Sequence, residues 1–130
     1  MIDTDILVFI LRGNKSVLAT LKEKEPFPKA ISMISYGELL HGAEKSENPR
    51  KNTANVRQLI EAFPVIGITR CVMETYASLK ADLSRKGQVL DDFDLIIAAS
   101  ALMLDYCLVT NNVKRFGRIP DLRLENWARR

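Results

Sequence analysis

Ala30-Ile31-Ser32-Met33-Ile34-Ser35-Tyr36-Gly37-Glu38-Leu39-Leu40 passes from a short strand-like run into a helical one, with a carboxylate just beyond the junction. Residues 30–34 are of strand length. Ser35-Tyr36-Gly37-Glu38 has the spacing of a capping box, which predicts a helix from Ser35 to about Lys45. The same alternation recurs on both sides. Thr4 to Leu11 reads as a helix stopped by Gly13, and Ser16 to Lys24 as a second, ended by Pro26 and Pro28. Pro49 to Phe63 places Val56, Leu59, Ile60 and Phe63 on one helical face. Val65 to Ile68 is a second strand, followed by a helix from Cys71 to Lys86 that Gly87 terminates. Asp91 stands where it can cap a helix running to about Leu104. Cys107 to Thr110 and Leu122 to Glu125 read as the last strands. Strands separated by helices need crossover connections, so the chain is expected to be α/β, with a mostly parallel sheet covered on both faces.

Ligands in such folds gather beyond the carboxyl ends of strands. Asp3, Glu38 and Asp94 each adjoin an apolar run, and Asp3 and Glu38 fall at strand-to-helix transitions. Two like charges about 4 Å apart repel by roughly 4 kcal/mol at an effective dielectric near 20, a large part of a domain's stability of about 5–15 kcal/mol. If the three converge, a cation must sit among them. With no His or Cys cluster nearby the ligands are all oxygen, which suits Mg²⁺ or Mn²⁺. Each acid also has a purely structural role open to it: Asp3 as N-cap, Glu38 as capping-box partner, Asp94 in a helix's first turn. A cap needs only one acceptor, which Ser or Asn supplies equally well, so capping does not explain an acid at all three places.

The chain has 130 residues, 47% of them hydrophobic, enough for a single domain spanning 1–130 with a real core. Cys71 and Cys107 form no close-spaced metal pair and are read as buried thiols in a reducing cytosol. Asp3 and Asp5 stand where an export signal would carry Lys or Arg, and Ile6 to Leu11 is far short of the roughly 20 apolar residues of a membrane span. A cytoplasmic protein without membrane contact is expected. The net charge of +3 is compatible with a polyanionic partner but does not demand one.

Several polar residues flank the acids. Asp5 either coordinates, orients bound water, or favours its helix's first turn. Thr110, Asn111 and Asn112, directly after a strand, either hold bound water or form a plain turn. Asp91 and Asp92 read as cap and surface residues rather than ligands, and His41, three residues after Glu38 and able to share its helix face, as a surface or structural residue rather than a catalytic base. Lys114, Arg115, Arg118 and Arg123 either contact phosphates or form a solvated basic face, and Arg129 and Arg130 either contact RNA or a partner or fray.

Ile2-Asp3-Thr4-Asp5-Ile6-Leu7 with Leu11-Arg12-Gly13, Ser35 to Ser46, Phe93-Asp94-Leu95-Ile96-Ile97-Ala98-Ala99, Leu108-Val109-Thr110-Asn111-Asn112 and Leu122 to Trp127 together resemble the VapC-type toxins of the PIN-domain ribonucleases, in that family's order and over nearly the full length. The resemblance implies a three-layer α/β/α sandwich and a metal-dependent endoribonuclease acting on RNA such as tRNA or rRNA. It also implies a homodimer neutralised by a cognate VapB-type antitoxin, through which alone operator DNA is met. Asp3, Glu38 and Asp94 match the family's acidic triad. Asp5 stands where Asn is most frequent, Ser100 where His is, and Asp91-Asp92 where Gly-Pro is common. Asn112 lies where some PIN domains place a fourth carboxylate, which weakens a second metal site.

Two other readings compete. A PIN-fold binding module without catalysis would act through a partner alone. A haloacid-dehalogenase-type phosphatase would use Asp3-Thr4-Asp5 as nucleophile and acid, but needs a looping segment where Ile6 to Leu11 reads at once as helix.

Overall fold

The computed structural model describes residues 1–129; Arg130 lies outside the described residues. In chain order the elements are α1 (Thr4–Leu11), α2 (Lys15–Glu23), β1 (Ile31–Ser32), α3 (Met33–Glu44), α4 (Pro49–Glu61), β2 (Val65–Ile66), α5 (Arg70–Arg85), α6 (Asp92–Leu104), β3 (Leu108–Val109), α7 (Val113–Phe116) and β4 (Leu124–Glu125). The expected alternation of helix and strand is borne out, with shorter strands than the apolar runs suggested.

β1 and β2 pair in parallel with Ile31 opposite Val65, and β3 and β4 in parallel with Leu108 opposite Leu124. Residues 1–3 join the two pairs. Ile2 bridges Val109 in parallel, Val109 N–H donates to the Met1 carbonyl at 2.8 Å, Asp3 N–H donates to the Val109 carbonyl at 2.9 Å, and Ile2 N–H donates to the Ala30 carbonyl at 2.9 Å. The first residues of the chain are thus the middle of the sheet.

Adjacent strand residues point to opposite faces, and here that alternation builds two cores. Met1, Ala30 and Leu108 pack with Val72 and Leu83 of α5 and Leu95, Ile97 and Ala98 of α6. Ile2, Ile31 and Val109 pack with Ile6 and Leu7 of α1, Val17 of α2, Leu39 of α3 and Val56 of α4. Helices therefore cover both faces, and the α/β/α layering expected from the sequence is what the chain adopts. Fully burying one such Ile or Leu is worth about 1.5–3 kcal/mol.

Four expectations need correction. Ser35 does not begin a helix: the chain is still extended at Ser32 (φ −72°, ψ 144°), whose hydroxyl accepts from Ile34 N–H, so Ser32 is the cap. Glu38 then lies in the second turn of α3, too far along to reach back to that cap. Asp91 takes the N-cap position of α6 but its side chain makes no capping bond. Cys71 is exposed and Cys107 half-buried. Residues 113–116 form the one-turn α7, anchored by the fully buried Phe116; a four-residue helix has too few bonds to stand alone. Gly87 ends α5 as expected, at φ +68°, where a Cβ would be strained.

Candidate active site

Asp3 is the N-cap of α1 and is buried. Its Oδ1 accepts from Thr4 N–H at 2.8 Å and its Oδ2 from the Thr110 hydroxyl at 2.8 Å. Thr110 Oγ1 accepts in turn from Asn112 N–H at 3.0 Å. Asp5 Oδ2 accepts from Asn111 N–H at 3.1 Å, while Asp5 Oδ1 is sealed from water with no donor. The polar stretch after β3 therefore serves both acids of α1.

Burial pushes the Asp3 carboxyl up to about 7, helped by the charge of Asp5 and, more weakly, of Asp94, against the bonds from Thr110 and Thr4. Burial also raises Asp5, against the backbone donors of Asn111 and Ile6. Two such neighbouring carboxyls satisfy each other only by sharing a proton or a cation.

The other two acids are tied elsewhere. Glu38, half-buried on α3, accepts from the Thr4 hydroxyl at 2.7 Å, and Thr4 Oγ1 lies 2.9 Å from Ser35 Oγ. With one proton to give, Thr4 donates to the carboxylate and leaves its oxygen as acceptor for Ser35. Asp94, in the first turn of α6, is ion-paired to Arg115, whose Nη1 donates to Oδ2 at 2.7 Å. The Asp94 side chain is 12% exposed and that of Arg115 48%. With its amide oxygen turned to the guanidinium, Asn112 accepts from Arg115 Nε and Nη2 at 3.0 and 3.1 Å.

Among the described residues no three acidic, His or Cys groups form a ready coordination shell. Asp3 and Asp5 converge, whereas Glu38 and Asp94 are each held by a donor of the chain's own. The donor set is still all carboxylate oxygen, and Oδ1 of Asp5 is buried beside Asp3 without a hydrogen-bond partner, so the chemistry fits a hard divalent ion.

The remaining candidates sort clearly. Asp92 lies outside the cluster, paired to Lys80 and bonded to Tyr76, both at 2.8 Å. His41 is exposed and shares a cleft with Glu38 and Phe93. Lys114 and Arg118 line a second cleft with Asp94 and Arg115, whereas Arg123 pairs with Asp105. Trp127 is buried in the core. Sequence reasoning missed Thr4 and Ser35, and it did not pair Arg115 with Asp94. Ser35 had a signal: it stands three residues before Glu38, on the same helical face.

Residues 1–122 match the PIN domain family. The chain is also 30% identical over 128 residues to ribonuclease VapC2 of Haemophilus influenzae, covering 98% of this chain and 97% of that one. It belongs to the VapC ribonucleases of the PIN-domain family. Another VapC relative, the tRNA(fMet)-specific endonuclease VapC of Salmonella typhimurium, is 33% identical over 129 residues, covering 98% and 97%. The solved structure of VapBC2 from Rickettsia felis bound to a DNA fragment from their promoter superposes with a TM-score of 0.92 at 32% identity, covering 98% and 97%. The acids of this chain thus stand in the fold of that family.

Proposed function

We propose that this VapC protein is an endoribonuclease toxin that hydrolyses RNA phosphodiester bonds with Mg²⁺ or Mn²⁺ bound at Asp3, Glu38 and Asp94, with Asp5 as a further ligand or proton partner. The observation that carries the metal reading is the Asp3–Asp5 pair, where one oxygen is buried without a donor. When bound, a divalent ion supplies Lewis-acid activation of water and neutralises charge developing on the phosphate. Thr110 and Thr4 N–H fix both oxygens of Asp3, and the Thr4 hydroxyl sets the rotamer of Glu38. Arg115 carries positive charge to the edge of the site, where a phosphate would be met.

The chain works as one PIN domain, residues 1–130, in the cytoplasm. No helix among the described residues is long and apolar enough to cross a membrane. A VapB-type antitoxin restrains it, in keeping with the VapBC neighbours, two of them DNA-bound, and the complex rather than the toxin alone meets operator DNA. The free protein is a homodimer. Relatives named tRNA(fMet)-specific endonucleases make a structured tRNA the first substrate to try. The phosphatase reading fails on geometry, since α1 begins at Thr4 and leaves no looping segment after the acids.

The test is cleavage of a labelled total RNA pool by antitoxin-free protein, with Mn²⁺ or with chelator. Discrete metal-dependent fragments establish the nuclease and name its target; intact RNA with folded, Mn²⁺-bound protein establishes the silent binding module instead. Unchanged cleavage by Asp94→Asn would remove Asp94 from the mechanism. Thr4→Val keeps the shape of the side chain but strips Glu38 of its donor, and is expected to slow cleavage about tenfold, a barrier rise of about 1.4 kcal/mol, with a melting temperature near that of wild type. Full activity in Thr4→Val would show that Glu38 needs no such positioning.

A further inference from the structure

Arg115 occupies a position with two possible anionic partners. Its guanidinium is held from within by Asp94 and Asn112, yet half its side chain is exposed in a cleft of about 430 Å³ that Lys114 and Arg118 also line. Three cations face two carboxylates there, Asp91 and Asp94. Its backbone is firmly placed, because the next residue, Phe116, is 1% exposed in the core. The planar guanidinium fork matches a phosphate as well as it matches a carboxylate.

Asp94 cannot serve Arg115 and a divalent ion equally. A cation beside the acids repels the guanidinium while neutralising the carboxylate that holds it, which frees the fork for an incoming anion. We propose that Arg115 alternates between Asp94 in the free protein and a phosphate of bound RNA in the loaded one, with Lys114 and Arg118 completing a phosphate subsite beside the acids. This rests on the ribonuclease reading above. In the resting protein the pair lowers metal affinity; in the RNA complex Arg115 positions the strand, so metal and RNA favour each other's binding.

The two roles separate in one variant. Arg115→Gln is expected to bind Mn²⁺ about fivefold more tightly by calorimetry without RNA. It should bind a labelled, non-cleavable single-stranded oligoribonucleotide with Mn²⁺ present about tenfold more weakly, with a log–log salt slope shallower by about 0.7, and with a smaller loss in chelator, where Asp94 already holds the wild-type guanidinium. Arg115→Lys keeps the charge without the fork, and is expected to retain the salt slope while still binding Mn²⁺ more tightly; it carries the test if the Gln variant does not fold. Unchanged Mn²⁺ affinity in the folded variants, or undiminished RNA binding by Arg115→Gln, overturns the exchange. Wild-type protein that binds RNA through Arg115 yet never cuts it overturns the nuclease reading and leaves the exchange standing.

Discussion

Asp3→Asn is expected to abolish RNA cleavage while making the metal-free protein more stable. The loss of activity should be at least about a thousandfold, or 4 kcal/mol of barrier, because the substitution removes the acid most enclosed by the site. The gain in stability follows from linkage. The folded Asp3 carboxyl titrates near 7, above its ordinary value of 3.8, because burial and then Asp5 penalise its charge. A group raised in this way contributes stability that is complete below the unfolded value and lost as pH rises through the folded one. Metal-free wild type therefore loses stability between about pH 4 and 7, and the neutral amide does not. Each pKa unit is worth about 1.4 kcal/mol, so the variant should melt several degrees higher at pH 8 in chelator, about 5 °C or more, with the gap well narrowed at pH 5 and closing toward about pH 4. Thermal melts of both proteins at the two pH values decide it. Coincident curves at pH 8 would mean that Asp3 does not sit charged beside another acid.

Withdrawing divalent ions is the second large effect. Chelator should stop cleavage entirely and Mn²⁺ restore it, and Mn²⁺ should raise the melting temperature of wild type far more than that of Asp3→Asn. At free metal one hundred times the dissociation constant the stabilisation is about 2.7 kcal/mol. Its pH dependence is the sharper signature. A metal must displace the proton that Asp3 holds below about pH 7, so affinity should fall about tenfold for each pH unit between about 7 and 5, with a proton released on binding. Calorimetry at pH 6.0 and 7.5, in two buffers of different ionisation enthalpy, measures both. An affinity that is flat across this range would place the metal away from Asp3.

Asp3 and Glu38 were legible as candidates because each interrupts an apolar run beyond a strand, and Asp94 because it stands against the apolar run that opens α6; a cap would be served as well by Ser or Asn. The layers were legible because helical and extended periods alternate along the chain. What the sequence hid were choices between near-equal local options and contacts across long separations. Ser32 and Ser35 are both good caps, and only the place where β1 stops pairing with β2 selects Ser32. Nothing local to Asp94 announces Arg115, 21 positions on, and α7 is too short to show a period. Thr4 looked like a helix-starting residue; its hydroxyl acquires meaning only when α3 brings Glu38 beside it.

Placing residues 1–3 between the two strand pairs has a consequence for biosynthesis. Residues 1–3 find one neighbour, around Ala30, soon after they are made, but their other, Val109, only much later in translation. Thr110, which holds Asp3 Oδ2, arrives one residue later. A nascent or prematurely terminated chain lacking that strand cannot assemble Asp3 with its partners, so a cell translating this message meets no complete site until residues 108–110 have been made.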